Sequence, residues 1–334
     1  MKSIAIVILN WNGRTMLERF LPSVVACSEG AQVIVADNGS TDDSVAFLQQ
    51  YYPQLRLILL DKNYGFADGY NRALRQVEAD YYVLLNSDVE CTPHWVEPVV
   101  EMMEREPQVA IAQPKLLMYD QKDTFEYAGG AGGFIDKYGY PFCRGRLFNT
   151  LEKDHGQYDD ESDVFWATGA AMFVRASVWK ELGGLDGDFF AHMEEIDFCW
   201  RTQLGGYRVR YCPRSVLYHV GGGTLPKSSP FKTELNFRNN LSMLYKNLPS
   251  SRLLPVILLR LPLDWVAALK FLADGNPRDF AAVGKAHRDF FKLLPLLRKK
   301  RRSLKHSKLV NRYSKVLLID YHLKGKKCFS ALSS

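Results

Sequence analysis

Three carboxylates stand close together in the stretch HMEEIDFCWR at 192–201: Glu194, Glu195 and Asp197. Crowded carboxylates raise one another's pKa, and a carboxylate with a raised pKa can act as a general base near neutral pH. Acidic side chains are equally typical of the first turn of a helix, where the helix dipole stabilises them. The residue types alone therefore leave a catalytic and a structural interpretation open.

A second polar group, Asn86, Ser87 and Asp88, ends the apolar run YYVLL at 81–85. A carboxylate at the end of a strand suits a hard cation such as Mg²⁺ or Mn²⁺, which commonly binds through carboxylates and substrate phosphates. His219 ends a later strand-like segment and could add a nitrogen ligand, although a lone histidine is more often structural. We therefore expect a divalent-metal site at Asp88, with His219 as a candidate partner.

Two further polar stretches are candidates for nucleotide contacts. ADNGSTD, at 36–42, contains Asp37, which can accept N–H groups from a nucleobase or cap a helix. NYGFADGYNRAL, at 63–74, has glycines that allow close approach of the backbone and a helix start that can face phosphate. Neither stretch is a G-x-G-x-x-G or Walker A loop, so no dinucleotide or ATP site is predicted.

The elements that position these residues alternate between strand and helix over the first 113 residues. Continuous apolar runs separated by helices are typical of a parallel sheet covered on both faces, a doubly wound α/β fold. In such a sheet, ligands bind at the edge formed by the carboxyl ends of the strands. The predicted strands are 4–9, 32–36, 55–60, 81–85 and 109–112, and the predicted helices are 15–27, 42–51, 66–78 and 93–105.

The remainder of the chain differs in texture. Residues 116–162 are rich in glycine and have little periodicity, which is typical of a lid or a binding loop. After residue 226 the pattern becomes helical, with predicted helices at 231–248, 253–273 and 278–297.

The formal net charge of +6 hides an asymmetry. Residues 1–225 carry 20 Lys/Arg and 31 Asp/Glu, whereas residues 226–334 carry 23 Lys/Arg and 6 Asp/Glu. The apolar segment 253–273 is interrupted by Arg260 and Asp264, which favours an interfacial amphipathic helix over a membrane-spanning one. A helical subdomain that packs on the rest of the protein is the alternative. We expect the basic region to associate with an anionic membrane surface, and no nucleic-acid motif accompanies it.

Neither the cysteines nor the N-terminus indicates secretion. The six cysteines form no C-x-x-C pair, which argues against a disulfide scaffold or zinc ribbon and suits a reducing compartment. The first apolar run stops at Asn10 and predicts a strand instead of a signal peptide. We therefore expect a cytoplasmic protein, peripheral at the inner face of the plasma membrane.

Taken in order, these segments resemble the family-2 glycosyltransferases of the GT-A fold, in particular the rhamnosyltransferase-like enzymes that build bacterial surface polysaccharides. The resemblance covers residues 3–247 and lies in eight motifs: VILNWNG, ADNGSTDDS, NYGFADGYNRAL, LLNSDVE, TGAAMFVR, GGLDGDFF, EEIDFCWR and YHVGGGT. It implies a hexosyltransferase-type enzyme that moves a sugar with inversion from a UDP-, dTDP- or GDP-linked donor to a glycan or lipid-linked glycan, with Mg²⁺ or Mn²⁺ on the diphosphate.

The same resemblance suggests a domain organisation. A GT-A catalytic domain would occupy residues 1–225, with a nucleotide-binding half at 1–113 and an acceptor and catalytic half at 114–225. The helical, basic and membrane-associating region would follow at 226–334. Segment 128–145 would close over the bound donor and exclude water.

Carried over to this sequence, the resemblance gives the metal and nucleotide residues their roles. Asp37 would contact the base of the nucleotide, and Asp88 would hold the metal as the last acidic position of a degenerate D-x-D motif. Asn86 stands where the first Asp of that motif is often found, and His219 matches a position used as a metal ligand in related enzymes. The full set of expected donor contacts is Asn10, Asp37, Asn63, Gly65, Asn71 and Asn86.

The resemblance also assigns the base and the sugar pocket. The general base is typically the Asp of a Glu-Asp pair, and here Glu195 occupies that position with one extra methylene. Glu194 is the alternative base. The sugar pocket would be lined by Trp166, Thr168 and Gly169.

Two other classes of protein stay open at this point. A nucleotidyltransferase would share the sheet and the metal chemistry, but NWNGR lacks the glycine-rich, basic loop expected after the first strand. A nucleotide-sugar or polysaccharide-binding protein with a decayed site would account for the departures at Asn86 and Glu195.

Overall fold

A computed structural model describes residues 2–221, 229–304 and 312–332. Within these ranges the chain forms a nine-stranded central sheet, a separate four-stranded sheet and a set of helices. The strands are β1 (Ile4–Asn10), β2 (Gln32–Asp37), β3 (Arg56–Leu59), β4 (Tyr81–Leu85), β5 (Val89–Cys91), β6 (Val109–Met118), β7 (Gly133–Ile135), β8 (Pro141–Cys143), β9 (Arg146–Leu147), β10 (Thr150–Leu151), β11 (Ser162–Asp163), β12 (Ala171–Arg175) and β13 (Arg208–His219). The helices are α1 (Arg14–Cys27), α2 (Ser44–Tyr51), α3 (Gly65–Leu74), α4 (Glu97–Arg105), α5 (Ala176–Leu182), α6 (Glu194–Leu204), α7 (Pro230–Asn247), α8 (Ser250–Ala273) and α9 (Pro277–Arg302).

The central sheet is mixed, with the order β11-β13-β6-β12-β4-β1-β2-β3 and with β5 paired to β13. Strands β3, β2, β1 and β4 are parallel, and β12 lies antiparallel between β4 and β6. The strands and helices predicted from the sequence are confirmed to within a few residues at most ends. The main difference is β6, which continues to Met118 and pairs with the long strand β13.

Both faces of the sheet are buried, which is why its strands are continuous apolar runs. Along β1, Ala5 and Val7 belong to one hydrophobic core, whereas Ile6 and Ile8 belong to the core on the opposite face. Successive side chains of a strand point to opposite faces, so a strand between two helical layers needs apolar residues at every position. The polar residues are thereby restricted to the strand ends.

The glycine-rich stretch is more regular than its sequence predicts. We expected a loop without periodicity that serves as a lid or a binding loop, but strands β7 to β10 form a folded sheet in this region. Closure of segment 128–145 over the donor stays a prediction. Ile135, Phe142 and Leu147 are fully buried or nearly so. Irregular spacing and many glycines concealed these strands, which are only two or three residues long.

Segment 312–332 covers this small sheet. Leu317, Tyr321 and Leu332 pack with Phe142 and Leu147 in a separate hydrophobic cluster. The backbone N–H of Leu317 donates to Asp136 Oδ2 at 3.0 Å, and the hydroxyls of Thr150 and Tyr321 are 2.7 Å apart. The small sheet is therefore completed by residues far away in the chain.

Helices α7 and α9 pack on the sheet domain through buried charges. Lys246 of α7 is 2% exposed and binds Asp186 and Asp197, and Lys300 of α9 also binds Asp186. The charge of Lys246 and Lys300 holds the pKa of Asp186 well below its usual range despite its burial. The domain boundary expected at residues 225 and 226 lies outside the described residues, and α7 shares this ion-pair network with α6.

We predict that Lys246→Met lowers the free energy of unfolding by roughly 3 kcal/mol, because each of the buried carboxylates Asp186 and Asp197 loses one of its two cations. Urea denaturation measures this change. Lys270→Met is the matched control, since the ion pair of Lys270 with Asp274 is exposed and is worth about 1 kcal/mol at most. Equal unfolding midpoints for the two variants would contradict the structural role of Lys246.

Candidate active site

The carboxyl ends of β1 and β2 bring Asn10 and Asp37 together as register partners. Asn10 Nδ2 donates to Asp37 Oδ2 at 3.0 Å, and the backbone N–H of Ser40 donates to Asp37 Oδ1 at 2.9 Å. Asp37 thus closes its own turn, and it does not cap α2, which begins at Ser44. Within the described residues, Asn10 Oδ1 is buried and has no hydrogen-bond partner. Asn10 Oδ1 is therefore available, at this edge of the sheet, to accept a hydrogen bond from a bound nucleotide-sugar.

The start of α3 meets a protein carbonyl where the sequence suggested a phosphate. The backbone N–H groups of Phe66 and Ala67 donate to the carbonyl oxygen of Phe190 at 2.6 and 3.1 Å. Gly65 has φ +74°, and a Cβ at this position would lie 2.5 Å from the Phe190 ring. Glycine is required here because a side chain would collide with Phe190. The structure thus gives Gly65 a packing role in place of the expected contact with the nucleotide-sugar.

A network of asparagines holds the loops around this helix. Asn63 Oδ1 accepts from the Gly65 backbone at 2.8 Å and from Asn38 Nδ2 at 3.1 Å, so Asn38 ties the loop after β2 to the loop after β3. Asn71 binds the N–H and the carbonyl of Leu185 at 3.0 and 2.8 Å. Both polar atoms of the Asn71 amide thus serve the backbone, and this structural role replaces the nucleotide contact expected for Asn71.

The residues expected to line a sugar pocket divide into two groups. Trp166 is buried, its indole N–H donates to the Phe134 carbonyl at 2.9 Å, and a Cβ on Gly133 would lie 2.0 Å from the ring. Trp166 is therefore a core residue and the prediction for it is corrected. Thr168 is also buried, whereas a Cβ on Gly169 would lie 3.9 Å from Glu195 Cβ. Of the three, Gly169 is the one placed beside the carboxylate cluster.

Asp88 and His219 form the candidate metal pair. Asp88 Oδ1 and His219 Nε2 are 3.1 Å apart, and the two residues are 4% and 5% exposed. Two neighbouring ligands of an octahedral ion, each about 2.1 Å from the metal, lie about 3 Å apart, so this pair fits one divalent ion. Asn86 Nδ2 is 3.3 Å from the same nitrogen. The structure thus brings together the three residues that the sequence placed at this site.

Glu126 is a member of the site that the sequence did not reveal. Its Oε1 is 3.4 Å from His219 Nδ1, and it is 3% exposed. Burial alone would lower the pKa of His219, but the charges of Asp88 and Glu126 outweigh it and raise the pKa to about 10. A carboxylate on the far nitrogen is the usual way to orient a metal-binding histidine. Glu126 lies in the glycine-rich stretch, where no spacing marks it.

Within the described part of the chain, no cluster of three or more His, Cys, Asp or Glu side chains is arranged to hold a metal ion. An ion at Asp88 and His219 would therefore need oxygen atoms of the substrate or of water to complete its ligand shell. This is the usual situation for Mg²⁺, which binds through one or two carboxylates plus phosphates.

Glu194 and Glu195 open helix α6 at the same edge of the sheet. Burial raises the pKa of Glu195 to about 7, and burial together with the Glu195 charge raises the pKa of Glu194 well above its usual value. Glu195 is partly exposed as a residue, although its Oε2 is buried. Among the described residues, Oε2 of Glu194 and Oε2 of Glu195 both lack a hydrogen-bond partner. The environment of these carboxylates therefore favours the protonated form more than water does.

Asp197 has the opposite environment. It is fully buried and accepts hydrogen bonds from Arg201 Nε at 2.9 Å, Lys246 Nζ at 3.0 Å and Asn247 Nδ2 at 2.7 Å. The stretch EEIDFCWR therefore fits both interpretations that the sequence left open, the structural one and the catalytic one. Asp197 is structural, and the pair Glu194 and Glu195 is available for chemistry.

The turn before α6 is strained. Phe190 has φ 64° and ψ −63°, and the Ala191 N–H donates to the Phe189 carbonyl at 2.7 Å, which defines a γ-turn. His192 and Met193 follow with φ 68° and φ 73°. Non-glycine residues in such conformations cost of the order of 1–3 kcal/mol each, and they persist only when the surroundings hold them.

Asn239 of α7 binds three carbonyl groups of this turn. Its Nδ2 lies 2.9 Å from the carbonyl oxygens of Phe189 and Ala191 and 2.8 Å from that of His192. Asn239 is 1% exposed, so water does not compete for these bonds. Asn239 was missed as a site residue, although it belongs to the helical segment 231–248 predicted from the sequence.

Solved structures share this architecture. GalNAc-T7, solved with UDP, GalNAc and Mn²⁺, superposes with a TM-score of 0.59 at 12% identity, over 98% of this chain and 58% of that one. S. aureus TarS superposes with a TM-score of 0.54 at 15% identity, over 90% of this chain and 87% of that one. A mannosyltransferase of Pyrobaculum calidifontis, solved with GDP-Man and Mn²⁺, has a TM-score of 0.51 at 14% identity, over 88% and 79%. The fold is that of the GT-A transferases.

The family follows from the sequence comparison. Residues 5–179 match the model of glycosyl transferase family 2, and the chain belongs to this family of glycosyltransferases. It is 27% identical over 241 residues to the N-acetylglucosaminyl-diphospho-decaprenol L-rhamnosyltransferase of Mycobacterium tuberculosis, covering 66% of this chain and 77% of the relative. It is 26% identical over 225 residues to the rhamnosyltransferase WbbL of Escherichia coli K12, covering 65% and 83%. The rhamnosyltransferase-like resemblance is thereby confirmed.

We predict that Asn239→Ala destabilises the protein by about 1–3 kcal/mol, because buried carbonyl groups of the strained turn lose their donor. Hydrogen exchange at residues 189–193 should accelerate more than exchange in β1 or β4. Asn236→Ala is the control, since Asn236 lies one turn earlier on α7 and its Nδ2 donates to the carbonyl of Lys232 within that helix. Unchanged exchange at 189–193 in Asn239→Ala would remove this function from Asn239.

Proposed function

We propose that this glycosyltransferase inverts the anomeric centre of a sugar as it moves the sugar from a nucleotide-diphosphate donor to a lipid-linked glycan. The observation that carries the proposal is the arrangement at one sheet edge. Asn86, beside the pair Asp88 and His219, donates its backbone N–H to the Ala170 carbonyl at 3.0 Å, and the adjacent Gly169 lies against Glu195. A metal pair and a candidate base are thus separated by a short, buried turn.

The nucleotide would lie along the ends of β1, β2 and β4. Asn10 and Asp37 are the proposed contacts for its base and ribose. Both residues lie at the carboxyl ends of parallel strands, which is where open α/β sheets bind ligands. Asp88 and His219 are the proposed ligands of Mg²⁺ or Mn²⁺, and Glu126 orients His219. The metal, when bound, would neutralise the negative charge that develops on the departing diphosphate.

Glu195 is the proposed general base. Its carboxylate takes the proton from the acceptor hydroxyl while that oxygen attacks the anomeric carbon on the face opposite the diphosphate. The bond to the acceptor forms as the bond to the diphosphate breaks, so the configuration inverts and no covalent enzyme intermediate is needed. Glu194 is more deeply buried than Glu195, and burial together with the Glu195 charge raises its pKa well above the usual value, so Glu194 is the less suitable base.

The acceptor class is supported by the similarity to rhamnosyltransferases of surface-glycan synthesis, one of which is named for a decaprenol-linked acceptor. A lipid-linked glycan is presented at a membrane surface, and we place the enzyme on the cytoplasmic face of that membrane. The six cysteines carry free thiols, as expected for a reducing compartment.

A thermal-shift panel tests the proposal directly. UDP-, dTDP- and GDP-sugars are each added with and without Mn²⁺, because a ligand that binds only the native state raises the melting temperature. A metal-dependent shift with one nucleotide supports the donor site and identifies its class. Turnover with that donor and a lipid-linked glycan then separates an enzyme from a binding protein, and binding without turnover would refute the catalytic role.

We predict that Asp88→Asn abolishes Mn²⁺-dependent binding of the nucleoside diphosphate, since the carboxylate ligand is lost. Glu126→Gln should weaken Mn²⁺ affinity by roughly 10–100-fold, the usual effect of removing a carboxylate that orients a histidine ligand. Calorimetric titration with Mn²⁺ and the diphosphate measures both. Asp120→Asn, at an exposed position, is the control. Unchanged Mn²⁺-dependent affinity in Asp88→Asn would refute the metal assignment.

The activity should depend on pH through Glu195. Only the ionised carboxylate accepts a proton, so kcat/KM should rise as the pH increases through about 7 and fall about tenfold per unit below it. Glu195→Gln should remove this limb and lower kcat by roughly 10²–10⁴-fold, whereas Glu195→Asp should keep the limb. If Glu194→Gln removes the limb and Glu195→Gln retains it, Glu194 is the base.

A further inference from the structure

Two charged side chains of helix α8 are buried, whereas several of its apolar side chains are exposed. Its charged residues Arg260 and Asp264 are 3% and 1% exposed. Arg260 Nη1 donates to the Tyr138 carbonyl at 3.1 Å, and Asp264 pairs with Arg260 at 3.3 Å and with His287 at 3.2 Å. The charges that interrupt the apolar run in the sequence therefore point into the protein, where they have partners.

The solvent side of α8 between Leu254 and Leu272 is apolar, with the exception of Lys270, which pairs with Asp274. The exposed apolar side chains recur at helical spacing on one side of the helix over 19 residues, a rise of about 27 Å. We call this surface the α8 face; its members are Leu254 (65% exposed), Leu258 (60%), Trp265 (40%), Val266 (63%), Leu269 (58%) and Leu272 (47%). Exposed apolar side chains scattered singly are ordinary, but a continuous row of this length marks a surface that something covers.

Helix α9 adds positive charge beside the α8 face. The Trp265 ring lies 5.7 Å from the Phe280 ring and 5.8 Å from the His287 ring, so α9 runs alongside this face. Residues 288, 292, 299 and 302 follow one another at spacings that keep them on one side of α9. We call them the basic rim: Arg288, Lys292, Lys299 and Arg302, all of them exposed.

Part of the basic C-terminal region has a different use. Lys300 binds Asp186 and Asp188, and Arg301 donates to the carbonyls of Tyr245 and Lys246. Lys300 thus fastens α9 to the loop before α6, and Arg301 fastens it to α7. The basic rim stays exposed on α9, and Asp289 pairs with both Arg288 and Lys292, so the rim keeps a net positive charge.

We propose that the α8 face and the basic rim dock on an anionic lipid surface, with the apolar side chains among the acyl chains and the cations at the lipid phosphates. Within the described ranges, none of the helices is both long enough and apolar enough to cross a bilayer, so the helix lies along the surface. A second copy of the chain is a poorer occupant, because a two-fold contact through the α8 face would bring two basic rims together. The proposal gives the peripheral attachment its residues and does not depend on the donor site.

Sedimentation with vesicles tests this surface on the full chain. Vesicles of phosphatidylcholine with phosphatidylglycerol should carry the protein down, and pure phosphatidylcholine should carry far less, with the difference reduced by salt. Leu269→Glu should weaken partitioning roughly tenfold or more, because it places a carboxylate in the apolar face. Leu59→Glu is the matched control, since Leu59 on the edge strand β3 is also 58% exposed. A truncation after residue 297 is unsuitable, because it would also remove the residues that cover β7 to β10.

The basic rim is tested with one lysine variant and a matched control variant. Lys292→Ala should weaken binding to anionic vesicles about fivefold, and Lys153→Ala, at a side chain of similar exposure far along the chain, should leave it unchanged. Equal sedimentation of Leu269→Glu and Leu59→Glu would overturn the proposal. So would a concentration-dependent dimer that Leu269→Glu abolishes in the absence of vesicle binding, since the occupant would then be a second copy. Retention of the α6 to α9 fold in each variant is checked by its unfolding midpoint.

Discussion

The site depends on the contacts that hold the strained turn at 189–193. Three residues with positive φ within four positions, Phe190, His192 and Met193, place the start of α6 where Glu195 lies near Gly169, and no local preference of the chain would maintain these conformations. The carbonyl groups of the turn are bound from two directions, by Asn239 of α7 and by the first N–H groups of α3. Helices from two distant parts of the chain thus converge on one turn, and this convergence explains why the C-terminal helix α7 is integral to the site.

Local surroundings give chemically similar side chains opposite properties. Asp197 forms ion pairs with Arg201 and Lys246, whereas the pKa of Glu195, two residues earlier, is raised by burial. His219 is likewise held between two carboxylates, which keep it where a cation is favoured. The site therefore separates a position that attracts positive charge from one that can accept a proton. Such a separation is what a metal-assisted displacement needs.

The sequence predicted what depends on local patterns. The strands of the sheet were predicted because burial on both faces requires continuous apolar runs. Asp88 and His219 were placed at the same edge because polar residues are expected at strand ends, and their metal-binding role stays a prediction. Residue types could not show that Asn71 binds a backbone and not a nucleotide, since both present the same N–H and C=O groups. Glu126 and the strands β7 to β10 were missed because their partners lie far away in the chain, in a region without periodicity.

The packing of segment 312–332 on β7 to β10 also affects how the chain folds during its synthesis. The contact between Asp136 and Leu317 joins residues 181 positions apart. At a synthesis rate of about 5–20 residues per second, the small sheet waits on the order of ten to thirty seconds for the residues that cover it. During that interval its apolar side chains are available to chaperones and proteases. Premature termination of translation would leave a chain with a complete central sheet but a permanently uncovered hairpin layer, which quality control can recognise.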